Sequence, residues 1–174
     1  MRILSIDPSV NNVGWALLNT DGKTPKERWR TGLIKPEGRN FAMKCVCLLQ
    51  ELMALSEGEE GLDLLLTEWP TFFDSSKGHM AARQNYTVDL AGICGYIAGG
   101  LGMDHRRWHL ATATEWKGSV SKIVTARKFY RHFGKTFHHS ISEHEMDAAM
   151  LLHWFIRLKA SSLAIDLSTW PELA

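Results

Sequence analysis

No apolar run in this sequence approaches the roughly 18 residues that a membrane-spanning helix needs. The first residues do not form a signal peptide either, because Asp7 and Pro8 interrupt the apolar stretch too early. A cytoplasmic protein with no membrane partner is expected. Cysteine is scarce: Cys45, Cys47 and Cys94 are an odd number, and no second closely spaced pair completes a zinc site. They read as reduced core thiols. Neither sign of charge is in excess, with 20 Lys and Arg against 19 Asp and Glu. Total charge therefore points to no partner, and only its distribution can. Internal repeats and low-complexity segments are lacking too.

What is present is the composition of a globular protein. A chain of 174 residues, 45% hydrophobic and 22% charged, suffices for one domain with a sizeable core. A single domain over 1–174 is expected, with 160–174 a tail of unassigned structure. Ile3, Leu4 and Ile6 read as a buried strand that ends at Asp7. Pro8, Ser9, Asn11 and Asn12 turn the chain into a second strand, Val13 to Leu18. Asp21 and Gly22 turn it again, and Lys26 to Ile34 reads as a third strand, which completes an antiparallel meander. Phe41 to Leu55 switches to helical period, with Asn40 as N-cap.

Leu62 to Thr67 has the continuous apolar character of a strand buried on both faces, and Glu68 follows it. Entered from a helix, this strand is expected to pair parallel with the first. Asp7 and Glu68 would then emerge together at one sheet edge. His79 to Gly100 reads as a long helix, in which Gly92, Gly95 and Gly99 invite close approach by the sheet or by a second subunit. Arg107 to Ala111 is a short strand, Ala113 to Gly118 a loop, and Val120 to Phe133 a basic helix stopped at Gly134. A last helix, Glu143 to Leu158, starts at a capping box of Ser142 and Glu145.

That last helix carries His144 and Asp147 on one face. Dipole complementation accounts for acids at a helix start, Glu143 and Glu145 included. It accounts poorly for Asp147, which precedes the apolar run from Ala148 to Leu152. A carboxylate on that border is costly unless it is paired or holds a cation.

The ordered set resembles the RuvC family of Holliday-junction resolvases, within the RNase H-like superfamily. The matching motifs are Ile6 to Ala16, then Leu66 to Trp69, then Gly95 to Ala98, then His144 to Ala149, spanning about residues 2–157. Trp116, Lys117 and Gly118, with Lys122 downstream, look most like shorter, phage-type members. The resemblance implies an α/β fold with a five-stranded mixed sheet, a three-strand antiparallel meander plus parallel strands, flanked by helices. It implies a metal-dependent endonuclease that cuts four-way or other branched DNA symmetrically, as a homodimer, in a bacterial or phage-infected cell.

It places two Mg²⁺ ions on Asp7, Glu68, His144 and Asp147, as catalytic residues and metal ligands, with Glu143 and Glu145 as alternatives. A His ligand is softer than Mg²⁺ prefers, so Mn²⁺ is expected to substitute. Two cations roughly 3.5–4 Å apart supply what phosphodiester hydrolysis needs. Asp7, at a rigid strand end, is the natural bridging ligand.

Residues 105–139 hold eight basic side chains against one acid, Glu115. Such a stretch suits phosphate contacts that weaken with salt. Lys117 and Lys122 are the first candidates for phosphates near the cut, then Arg127, Lys128 and Arg131, with Lys77 and Arg83 extending the surface. Phe72 or Phe73, in the loop after Glu68, is placed to stack on an opened base.

Two other classes compete. An actin-like ATP phosphotransferase would use the Asp7 turn, but it needs a second glycine-rich phosphate loop that this length does not accommodate. A catalytically silent branched-DNA-binding protein of RNase H-like fold would not need all four candidate ligands.

Overall fold

The computed structural model describes residues 1–56, 61–70, 86–134, 136–137, 140–165 and 170. Its centre is a mixed five-stranded sheet in the order β3-β2-β1-β4-β5. The strands are β1 (Arg2–Asp7), β2 (Val13–Asn19), β3 (Trp29–Ile34), β4 (Leu64–Trp69) and β5 (Trp108–Thr112). β1, β2 and β3 form the expected antiparallel meander. β4 joins β1 in parallel, and β5 joins β4 in parallel. The helices among the described residues are α1 (Pro25–Arg28), α2 (Phe41–Ser56), α3 (Tyr86–Gly100), α4 (Ala113–Trp116), α5 (Lys122–Phe133) and α6 (Glu143–Lys159).

Strand period divides the apolar residues between two cores. On one face Ile3, Ala16, Leu18, Trp29 and Leu66 pack under α5 and α6, against Phe129, Phe133 and the run from Ala148 to Ile156. On the other, Leu4, Ile6, Val13, Trp15, Leu17 and Leu65 pack under α2 and α3, against Cys45, Leu48, Leu52, Ile93 and Ile97. The cysteines are free, as expected, and Cys45 and Cys94 are buried. Burial pushes the Cys94 thiol up to about 12, so it is a structural side chain rather than a nucleophile.

Two local expectations are corrected. The third strand does not begin at Lys26. Thr24 accepts from the Glu27 amide, Glu27 reaches back to the Thr24 amide, and Pro25 stands at the first helical position. This capping box nucleates the turn α1 before β3 starts at Trp29. Residues 113–116 are likewise a helical turn rather than loop, capped reciprocally by Thr112 and Glu115.

Helix α3 packs on the sheet, one of the two partners expected for it, while its glycines stand in different surroundings. Side chains added at Gly95 or Gly99 would meet nothing within 4 Å, and at Gly92 only the Phe41 ring. The close approach is at Gly100, against the Leu49 side chain. Residues 79–85 of the expected helix lie outside the described residues. In the tail, Trp170 is buried in the α6 core beneath the Arg28 guanidinium, 5.0 Å from its ring centre. No helix among the described residues is long and apolar enough to cross a membrane.

Candidate functional site

The strand period that sorts the cores also aims the acids. Asp7 follows Ile3 and Ser5 on the α6 face of β1, and Glu68 follows Leu66 on the same face of β4. The parallel register pairs Ile6 with Thr67, so the next residue on each strand is the acid. Two adjacent parallel strands thus deliver both carboxylates to one place, under the start of α6.

The N-terminus of α6 is held there by two features. Ser142 accepts from the Glu145 amide and Glu145 bonds back to the Ser142 amide, the expected capping box. Gly14 pairs with Asp7 across the sheet, and a Cβ at Gly14 would collide with the backbone carbonyl of His144. Glycine is therefore what lets α6 come this close to β2.

His144 Nδ1 meets Asp7 Oδ2 at 2.6 Å. One turn on, Asp147 accepts from Lys117 Nζ at 2.9 Å. Trp116 donates its indole N–H to Glu68 Oε2 at 2.8 Å, and Lys117 Nζ lies 4.7 Å from the centre of the Trp116 ring. Lys122 pairs with Glu143 at the rim. Sequence reasoning assigned Trp116 no role at the acids. The Thr112 and Glu115 capping pattern was the available signal, because the turn it starts is what carries Trp116 and Lys117 to the site.

Burial is the first cause of the electrostatics. It pushes Glu68 up to about 7, with the charges of Asp7 and Asp147 adding and those of Lys117 and the Trp116 hydrogen bond opposing. Burial likewise raises Asp7, against the pull of His144. His144 is raised by its hydrogen bond to Asp7. The Asp7 and His144 pair therefore keeps a shared proton more tightly than either group would alone.

Among the described residues, no three His, Cys, Asp or Glu side chains already surround a common point as a bound metal requires. The donor chemistry nonetheless suits a hard divalent cation. The charge of Asp147 raises the proton affinity of Asp7, and the charges of Asp7 and Asp147 raise that of Glu68, a repulsion that a cation relieves. At present His144 and Lys117 provide the countercharge.

The other predicted residues divide. Lys117 and Lys122 are at the cluster, while Arg127, Lys128 and Arg131 project from α5 as exposed side chains. Arg107, counted in the basic segment, instead binds the backbone carbonyls of Leu62 and Asp63. Phe72, Phe73, Lys77 and Arg83 lie outside the described residues.

No family model matches the chain, and no curated protein matches its sequence. Solved structures do match its fold. Thermus thermophilus RuvC in complex with a Holliday junction substrate superposes with a TM-score of 0.58 at 14% identity, covering 91% of this chain and 96% of that one. Thermus thermophilus RuvC in a second structure gives 0.57 at 13% identity, over 92% and 97%. The fowlpox virus Holliday junction resolvase gives 0.50 at 14% identity, over 91% and 99%. Identities this low speak for architecture, and the architecture agrees along nearly the full length of each chain: this chain has a RuvC-like, RNase H-like fold.

Proposed function

We propose that the protein is a metal-dependent, structure-selective endonuclease that resolves Holliday junctions or other branched DNA by symmetric phosphodiester hydrolysis. The observation that carries this reading is the convergence of Asp7 and Glu68, from adjacent parallel strands, on His144 and Asp147 at the start of α6. It sits on the fold of a RuvC solved with a Holliday junction. Asp7, Glu68, His144 and Asp147 would hold two Mg²⁺ ions, with Mn²⁺ a competent substitute because of the imidazole. Such cations supply an activated water and neutralise charge on the leaving oxygen.

The chain's own residues set up that chemistry. Asp7 is fixed by the sheet and by His144. Trp116 orients Glu68 and favours its ionised form. Lys117 and Lys122 bring positive charge to the rim, where phosphates next to the cut are to be neutralised. Arg127, Lys128 and Arg131 extend that charge along α5, and Phe72, Phe73, Lys77 and Arg83 remain the candidates of the loop after β4.

Symmetric incision of a two-fold junction calls for two sites, hence a C2 homodimer. The outward face of α3 supports this, with Val88 and Tyr96 exposed and open space at Gly95 and Gly99.

A silent junction-binding protein is the second reading. It is favoured by the pairing of Asp7 with His144 and of Asp147 with Lys117, and by the lack, among the described residues, of three such side chains around one point. One experiment separates the two. A synthetic four-way junction is incubated with the protein in Mg²⁺ or Mn²⁺. Paired, symmetric nicks that disappear in Asp7→Asn, with junction binding retained, support the nuclease. Binding without nicks in either metal refutes it.

A further inference from the structure

A cavity of about 440 Å³ lies between α4, α5 and α6, and it shares Trp116 and Lys117 with the acid cluster. Its polar lining is cationic. Lys128 and Arg131 come from α5 and Arg157 from α6, and among the described residues none of the three is paired with a carboxylate. Met150, Trp154 and Leu158 of α6 supply apolar lining to the same cavity.

Two histidines also line it. His132 and His153 stack with ring centres 4.4 Å apart. His153 is only 5% exposed, and its Nε2 is buried with no hydrogen-bond partner. A ring nitrogen left unpaired in the interior is unfavourable. The surrounding charge is positive. After burial, it is the neighbouring cations that hold both imidazoles below their ordinary values: Arg157, Arg131 and Lys128 for His132, and His132 with Arg157 for His153. The cavity therefore carries a positive potential, of which only the Lys117 charge is met by a carboxylate, Asp147, among the described residues.

The volume falls within the roughly 300–1,000 Å³ of small-molecule sites. Inorganic phosphate would engage the cations and leave the apolar lining unused. An uncharged nucleoside would do the reverse. One ligand class uses both linings. We propose that this cavity is a nucleotide-binding site, which seats a phosphate on Lys128, Arg131 and Arg157 and a base against Trp154 beside His153. Guanidinium groups grip phosphate through charge-assisted hydrogen bonds, and an indole offers any base a stacking face.

The proposal deepens the nuclease reading and rests on it for one source of the nucleotide: an unpaired residue of a strand led past Trp116 and Lys117. A free mononucleotide presents the same chemistry.

The test uses the whole chain without divalent metal. dTMP, dAMP, thymidine and inorganic phosphate are titrated separately, and the Trp154 indole and His153 ring resonances are followed by NMR. The mononucleotides are expected to saturate and to shift both residues. Thymidine and phosphate are expected to bind at least ~10-fold more weakly, since each forfeits one of the two linings. Lys128→Gln with Arg131→Gln, both at exposed positions, should weaken dTMP by ~10-fold or more, and Trp154→Leu should weaken it independently.

Competition by a short single-stranded oligonucleotide identifies a strand nucleotide as the occupant. Saturation by dTMP without competition identifies a free one. The inference is overturned if neither mononucleotide nor oligonucleotide saturates, if Trp154 and His153 do not move, or if phosphate binds as tightly as dTMP. Junction nicking is scored separately. Nicking by a protein whose cavity stays empty overturns this inference alone, whereas a filled cavity without nicking overturns the nuclease alone.

Discussion

Replacing His153 by Leu should make the metal-free protein less sensitive to acid. His153 faces His132, Arg131 and Lys128 from α5, Arg157 from its own helix, and Lys117 beyond α4. Burial first, then the charges of His132 and Arg157, push its imidazole down to about 3, from an ordinary value of 6.5. Above 6.5 neither the folded nor the unfolded state protonates it, and it contributes nothing to pH dependence. Below 6.5 the unfolded chain takes up a proton that the folded chain refuses. Folding is therefore weakened by about 1.4 kcal/mol for each pH unit down to about 3. Between pH 6.5 and pH 5 that is ~2 kcal/mol, a large share of a typical domain's stability.

Wild-type stability at two pH values cannot reveal this, because the acid cluster titrates in the opposite sense. Glu68 rises from 4.5 to about 7 on folding, so the folded state binds its proton more tightly. That contribution is present at low pH and is lost as pH climbs through about 7. Asp7 and His144, both raised, act on the same side. The informative quantity is the difference between His153→Leu and wild type, in which the cluster cancels.

Urea denaturation at pH 7.5 should find the variant within about 1 kcal/mol of wild type. Removing the unpaired Nε2 offsets the lost ring contact with Phe133, whose centre lies 5.8 Å away. At pH 5 the variant should gain ~2 kcal/mol relative to wild type. An unchanged difference at the two pH values would refute the claim that His153 is held neutral.

Gly14→Ala drives a methyl into the His144 carbonyl. Thermal unfolding should show a loss of ~1–3 kcal/mol, and nicking should fall further than the folded fraction, because the His144 to Asp7 contact opens. Trp116→Phe keeps a ring beneath Lys117 but removes the donor to Glu68. The Glu68 carboxyl then holds its proton to higher pH, so nicking at pH 7 should drop by ~10-fold and recover at more alkaline pH, whereas a uniform loss at every pH would indicate a merely structural role. Phe129→Ala should cost ~3–5 kcal/mol in chemical denaturation, because Phe129 is fully buried, 5.3 Å from Phe133 and 5.9 Å from Phe137 between ring centres.

The sheet was legible because buried strands announce themselves by apolar runs bounded by turns, as at Ile3 to Asp7 and Leu64 to Trp69. The pairing of Asp7 with Glu68 was legible for the same reason: a helix between two strands makes them parallel, and a carboxylate at each end follows. Elements of one turn were not. Pro25 to Arg28 lies inside a stretch with strand character, and only the Thr24 and Glu27 box, a four-residue signal, outweighs it. The three glycines of α3 did not say which partner comes close, because a helical glycine records a close neighbour or an open face equally well; within the chain the close neighbour is Leu49, at Gly100. Trp116 escaped because its partner lies 48 residues away, and the local Thr112 and Glu115 box marks the turn but not what the indole reaches.

Asp147 shows where sequence logic and structure meet. Its place before an apolar run demanded a partner, and the structure supplies Lys117, from a different helix, at 2.9 Å. Asp7 is served in the same way by His144. Each of these acids therefore has a basic side chain bonded to it, whereas Glu68 has a neutral donor, Trp116. Glu68 is also the acid whose pKa is pushed up to about 7. An acid cluster built for stability alone would have no reason to bury Glu68 with no cation bonded to it. A cluster built to receive a divalent ion would leave one such acid, oriented by a neutral donor and ready to exchange its proton for metal near neutral pH. On that reading Lys117 has two positions to serve: Asp147 when the cluster is empty, and the phosphate when it is filled.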